Sequence, residues 1–132
     1  MNDKKSNEVA RRRLAKPRDL KQRTKEFALR VISLVESLPR TQTAKVFGDQ
    51  LIRSGTSVPA NYRAACRSRS NADFIAKLGI VEEETDESVF WMEMIVEKGL
   101  IKKSLVEDLV DEGNQLTAIW VTSINTARGR KR

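Results

Sequence analysis

Leu20, Thr24, Phe27, Val31, Leu34 and Leu38 follow one another at steps of four and three, the interval that returns side chains to one face of an α-helix. Ala28, Ile32 and Val35 widen that stripe to the breadth a bundle helix needs. The same rhythm recurs in Phe74, Leu78, Val81, Thr85, Ser88, Met92 and Ile95, and again in Leu105, Leu109, Gly113, Leu116, Trp120 and Ile124. A shorter version, Val46, Phe47, Leu51 and Ile52, lies between the first two. The predicted fold is therefore all-α, an antiparallel up-down-up-down four-helix bundle, because short connections place successive helices side by side in opposite directions.

Local signals set the expected boundaries. Asp19 is a candidate N-cap for the first helix and Pro39 ends it. In the second, Gly55 weakens the helix and Pro59 has no amide proton to give, so the reading is a kink or break near residues 55–58, with Ser57 capping the resumed segment. Gly55, Ala60, Ala64 and Ala65 would let a neighbouring helix approach closely, and the helix resumes through Tyr62, Ala65 and Cys66. Ser70 or Asn71 caps the third helix, and Gly99 stops it. Ser104 and Glu107 have the spacing of a capping box opening the fourth.

Charge divides the chain into three parts. Residues 1–23 carry nine Lys or Arg against Asp3, Glu8 and Asp19, and the end of the chain adds Arg128, Arg130, Lys131 and Arg132. Residues 24–127 hold 12 positive and 15 negative groups, so the net charge of +7 resides in the two ends. The expected organisation is a flexible basic arm over 1–18, the bundle over 19–127, and a basic tail over 128–132. Such ends either solubilise the chain or neutralise phosphates with salt-dependent, sequence-indifferent affinity for RNA or DNA. Arg11, Arg12, Arg13, Lys16 and Arg18, with Arg128, Arg130, Lys131 and Arg132, are the candidate contacts there. No aromatic residue interleaves with them, which argues against base stacking.

The chain has no histidine, and therefore lacks the commonest general base and transition-metal ligand. Its one cysteine, Cys66, cannot form an internal disulfide and reads as small-residue packing. No apolar run approaches the length of a membrane helix and no apolar stretch follows the first charges, so the expectation is a cytoplasmic protein without cofactor, metal or membrane partner. Glu84 and Glu87 stand one turn apart on the third helix, where paired carboxylates could serve acid/base chemistry or pair with arginines. Arg53, Arg63 and Arg67 are the candidate partners; the preferred assignment sends Arg53 to those acids, and Arg67 and Arg69 to phosphate. Arg63 shares a helical face with Arg67 and joins the candidate phosphate contacts. Asn61, an amide within a helix, is expected to hold a specific hydrogen bond.

The segment QLIRSGTSVPANYRAACRSRSNADFIAKLGIVEEETDES resembles the four-helix-bundle proteins known as 23S rRNA intervening-sequence proteins. That family shows an Arg-Ser pair, a Ser-Val/Ile-Pro-x-Asn turn into helix, then Phe-Ile and a glutamate on the third helix. Here those are Arg53, Ser54, Ser57, Val58, Pro59, Asn61, Phe74, Ile75 and Glu87. Many members carry an acidic residue and a glycine shortly after the asparagine, where this chain has Ala64 and Ala65, so no role of that acid is carried over. The resemblance implies a non-enzymatic homo-oligomer, typically a pentameric ring. Some members sit in insertions of large-subunit ribosomal RNA genes, and others resemble accessory proteins of diversity-generating retroelements, which bind a reverse transcriptase and nucleic acid. A nucleic-acid-binding ring is the leading expectation. A protein-interaction scaffold with merely solubilising tails is the alternative, and an enzyme using Glu84 and Glu87 is the third reading.

Overall fold

The computed structural model describes residues 17–129, and contains four long helices: α1 (Pro17–Glu36), α2 (Gln42–Cys66), α3 (Asn71–Glu97) and α4 (Glu107–Ala127). A 3₁₀ turn, Lys103–Leu105, precedes α4. Arg11, Arg12, Arg13, Lys16, Arg130, Lys131 and Arg132 lie outside the described residues, as do most of the expected arm and tail.

The stripes read from the sequence form the core. Leu20, Thr24, Phe27 and Val31 are buried on α1, Leu78, Val81, Thr85, Ser88, Met92 and Ile95 on α3, and Leu109, Gly113, Leu116, Trp120 and Ile124 on α4. Contacts between successive helices climb along one as they descend along the other. Val31 and Val35 of α1 meet Gly55 and Gly48 of α2. The Phe47 ring lies 5.5 Å from Trp91, and Ser88 Oγ donates to Ser54 Oγ at 2.9 Å. Trp120 Nε1 donates to Thr85 Oγ1 at 3.0 Å, while Gly113 faces Val89. Thr24 donates to the Leu20 carbonyl at 2.7 Å and Thr85 to that of Val81 at 2.7 Å, whereas the buried Ser68 Oγ has no hydrogen-bond partner among the described residues.

Helix ends follow capping chemistry in three places and depart from it in two others. The Ala44 N–H donates to Thr41 Oγ1 at 3.1 Å, and the Asp73 N–H donates to Ser70 Oγ at 3.1 Å. Gly99, with φ +78°, closes α3 by a Schellman arrangement in which its N–H donates to Val96 O and the Leu100 N–H to Ile95 O. Asp19 is not the cap of α1, because the helix already begins at Pro17, and it stands instead in the first turn. The Ser104–Glu107 capping box does not form either. Ser104 is inside the 3₁₀ turn, Val106 occupies the N-cap position with no side-chain bond, and its burial sets the angle at which the chain joins α4.

The expected break near 55–58 is absent, since α2 runs uninterrupted through Pro59. Leu51, Ser54, Gly55, Val58, Tyr62 and Ala65 are all buried, so the inward stripe keeps its phase across the proline. A proline inside a helix costs about 3 kcal/mol. Burying a large apolar side chain contributes about 1.5–3 kcal/mol, and Leu51, Val58 and Tyr62 together outweigh the proline. Ser57 caps nothing; its hydroxyl donates to the Arg53 carbonyl at 2.7 Å, and Thr56 does the same to Ile52 at 2.7 Å.

Three residues expected inside are exposed: Val46 at 50%, Leu105 at 70%, and Ala60. Val46 is displaced because Ala44 and Gly48 occupy the closest approach to α1, and Leu105 because Val106 takes the interior place.

Gly79 has no such packing duty, since a Cβ built there meets nothing within 4 Å. Gly79→Ala is expected to stabilise the bundle by about 0.5–1 kcal/mol through helix propensity alone. A thermal melt should register a rise of about 2–5 °C.

Candidate nucleic-acid interface

Four arginines gather at one end of the bundle. Arg63 lies in the last turn of α2, Arg67 caps its C-terminus, Arg69 follows in the loop, and Arg128 caps α4; all four are exposed. The loop holding Arg67 and Arg69 is short and fixed at both sides. Backbone bonds from Arg67 N–H to Ala64 O and from Ser68 N–H to Ala65 O end α2, and the Ser70 cap starts α3. Asn71 Nδ2 then donates to the Ala127 carbonyl at 2.7 Å, tying the start of α3 to the end of α4. Tyr62 and Trp120, 5.0 Å apart, pack just behind. Burial, and next the neighbouring Cys66 thiol, push the Tyr62 phenol above its ordinary range, so it stays neutral.

Because α1 runs opposite to α2, its first residue, Pro17, also lies toward this end. The segment 1–16, with six Lys or Arg, and the last three residues, Arg130, Lys131 and Arg132, are therefore attached on the same side as Arg63, Arg67, Arg69 and Arg128. Arg18 is within α1. None of Arg63, Arg67, Arg69 and Arg128 makes an ion pair among the described residues, which leaves their guanidinium groups available to phosphate oxygens. Asp73 is the acid close by, and Lys77 engages it at 2.9 Å, a bond that lowers the Asp73 pKa.

The family-motif residues form a separate cluster on the α2–α3 face. Arg53 donates to Glu84 at 3.1 Å, to Glu87, and to Gln50 at 3.2 Å. Trp91 Nε1 donates to the same Glu87 at 3.1 Å. The hydrogen bond with Glu87, reinforced by the charge of Glu84, raises the Arg53 pKa still further. Both carboxylates are thus spent on one guanidinium, as the assignment of Arg53 to these acids expects. No group of three or more His, Cys, Asp or Glu among the described residues stands close enough to hold a metal ion. Asn61 Nδ2 donates to the Ser57 carbonyl at 2.8 Å, a bond within α2 beside the proline, and Phe74 is half buried against the core.

One ion pair was not legible in the charge pattern. Arg23, counted with the basic N-terminal run, is instead half buried on α1 and grips Glu112 of α4 through two bonds of 2.7 Å, with a third to Gln115 at 3.0 Å. The Glu112 bond raises its pKa. Its position on the flank of the Leu20–Thr24–Phe27 stripe was the available signal.

The model of the 23S rRNA-intervening sequence protein family matches residues 17–122, nearly the whole described bundle. A solved structure from Bacteroides thetaiotaomicron, a protein of unknown function from the S23 ribosomal protein family, is 32% identical, with a TM-score of 0.74 over 80% of this chain and 97% of that one. No curated protein matches. With family model, fold and the Arg53–Glu87 motif in agreement, the chain belongs to the 23S rRNA-intervening sequence protein family.

Proposed function

We propose that this chain is a self-associating bundle that binds nucleic acid through the basic end formed by Arg63, Arg67, Arg69, Arg128 and the two attached basic segments. The observation that carries the reading is convergence: the α2–α3 loop, the end of α4 and the start of α1 are brought to one side, so charge that is dispersed in sequence acts on one phosphate backbone. The mode is backbone neutralisation, because the exposed groups there are guanidiniums without aromatic platforms. Self-association would multiply the contacts, and exposed Leu29, Val46, Ile80, Phe90 and Val121 supply apolar surface for it. The name of the family makes ribosomal RNA the first substrate to try.

A salt titration of the full chain with RNA and with DNA tests this. Replacing one phosphate-binding arginine should make the slope of log affinity against log salt shallower by about 0.7–0.9. The double variant Arg67→Glu, Arg69→Glu should weaken binding at low salt by about tenfold or more while leaving helicity intact. Affinity unchanged in that variant, or absent from the parent at low salt, removes the reading and leaves the scaffold alternative.

A further inference from the structure

At the far end of the bundle, α3 and α4 border a cleft of ≈ 610 Å³ with an apolar floor that includes Val96, Val106 and Val110. Its rim carries Glu93, Glu97, Glu107, Asp108 and Asp111, and against these five acids only Lys103 is positive. None of the five makes an ion pair among the described residues, whereas Glu84, Glu87 and Glu112 elsewhere each hold an arginine. Helix electrostatics account for Glu107 and Asp108, which stand in the first turn of α4. They work against Glu97, the last residue of α3, and against Glu93 one turn earlier, where the helix dipole disfavours negative charge and the C-cap Lys98 is the one basic residue at that helix end. Five like charges around one cleft repel one another and favour a cationic occupant. A metal ion does not suit them, because no three of the acids come close enough to hold one.

We propose that the cleft is the docking site of the chain's own residues 4–13. That segment carries Lys4, Lys5, Arg11, Arg12 and Arg13, which complement the rim, and Val9, which suits the apolar floor. Reach permits it. Arg23 is bonded to Glu112, the residue beside Asp111 of the rim, and α1 begins only six residues earlier, about 9 Å along the helix. Crossing α4 adds about 10 Å more. The thirteen residues 4–16, extended, span about 40 Å, and the crossing takes about six of them, so Arg11, Arg12 and Arg13 meet the near rim on α4 while Lys4, Lys5 and Val9 enter the cleft. Docked there, the segment is withheld from nucleic acid, so on the functional reading above phosphate and cleft compete for the same arginines.

Trypsin digestion of the native full chain, with cleavage after Arg11, Arg12 and Arg13 followed by mass spectrometry, tests the docking without nucleic acid. The comparisons are a free peptide of residues 1–18 and the variant Glu93→Gln, Glu97→Gln, Asp108→Asn, Asp111→Asn. In low salt the parent chain should be cut about tenfold more slowly than either, the combined effect of several weak exposed ion pairs, and high salt should erase the difference. Equal rates for parent chain and free peptide overturn the proposal, whether or not the variant folds. A variant that loses self-association with cleavage unchanged also overturns it, and makes the cleft a contact between copies. Protection observed in a chain without RNA affinity sustains the docking and removes the functional reading alone.

Discussion

Trp120→Ala lowers the stability of the bundle by about 3–5 kcal/mol, the range for truncating a large aromatic residue in a packed core. The indole is fully buried, stacks against Tyr62 at 5.0 Å, and gives its N–H to Thr85 at 3.0 Å. Truncation empties the space between α3, α4 and the end of α2, and it takes away the donor that Thr85 accepts from. The loss takes most of the stability of a domain at the low end of the ordinary range of about 5–15 kcal/mol, so the variant should unfold at a markedly lower urea concentration than the parent. Trp120→Phe keeps most of the volume and forfeits the hydrogen bond, and should lose only about 1–2 kcal/mol. Urea unfolding followed by far-ultraviolet circular dichroism separates the two; a Trp120→Ala midpoint equal to that of the parent would contradict the packing described.

Gly55→Val is the second large effect, and it arises from excess volume. A Cβ built on Gly55 lies 2.8 Å from Val31 Cγ1, 3.1 Å from Cγ2 and 3.2 Å from Cβ. Val31 cannot rotate clear, because its Cβ stays where it is and each staggered rotamer fills at least one of the two Cγ positions with a methyl group. The helices α1 and α2 must then separate, at a cost of about 1–3 kcal/mol that exceeds the helix propensity gained on leaving glycine. Adding Val31→Ala should restore part of the loss, and a double-mutant cycle by urea unfolding measures the coupling. Additive effects of the two substitutions would show that these helices do not meet there.

These two sites mark what the sequence discloses and what it withholds. Trp120 stands in a stripe with regular spacing, and such stripes identified nearly every buried residue of α3 and α4. Gly55 was legible as a point of close approach but not its partner Val31, and Gly48 was not legible at all, because hydropathy ranks side chains and says little about where a backbone must approach; Val46 was placed inside for that reason. Pro59 misled through its local preference, which the unbroken phase of Leu51, Val58 and Tyr62 overrides. The Ser104–Glu107 spacing matched a cap, yet the burial of Val106 decided how α4 begins. Of the candidate interface, the residue types were visible and their convergence was not. The Asn71–Ala127 bond joins positions 56 residues apart, and only the folded chain brings Arg69 and Arg128 to one side.

That bond has a practical corollary for anyone attaching a reporter. A fluorescent protein or affinity handle fused after residue 132 would overhang the pole that carries Arg67 and Arg128. Inserted instead in the turn between Glu36 and Gln42, the same cargo would project from the opposite pole and leave the arginines uncovered.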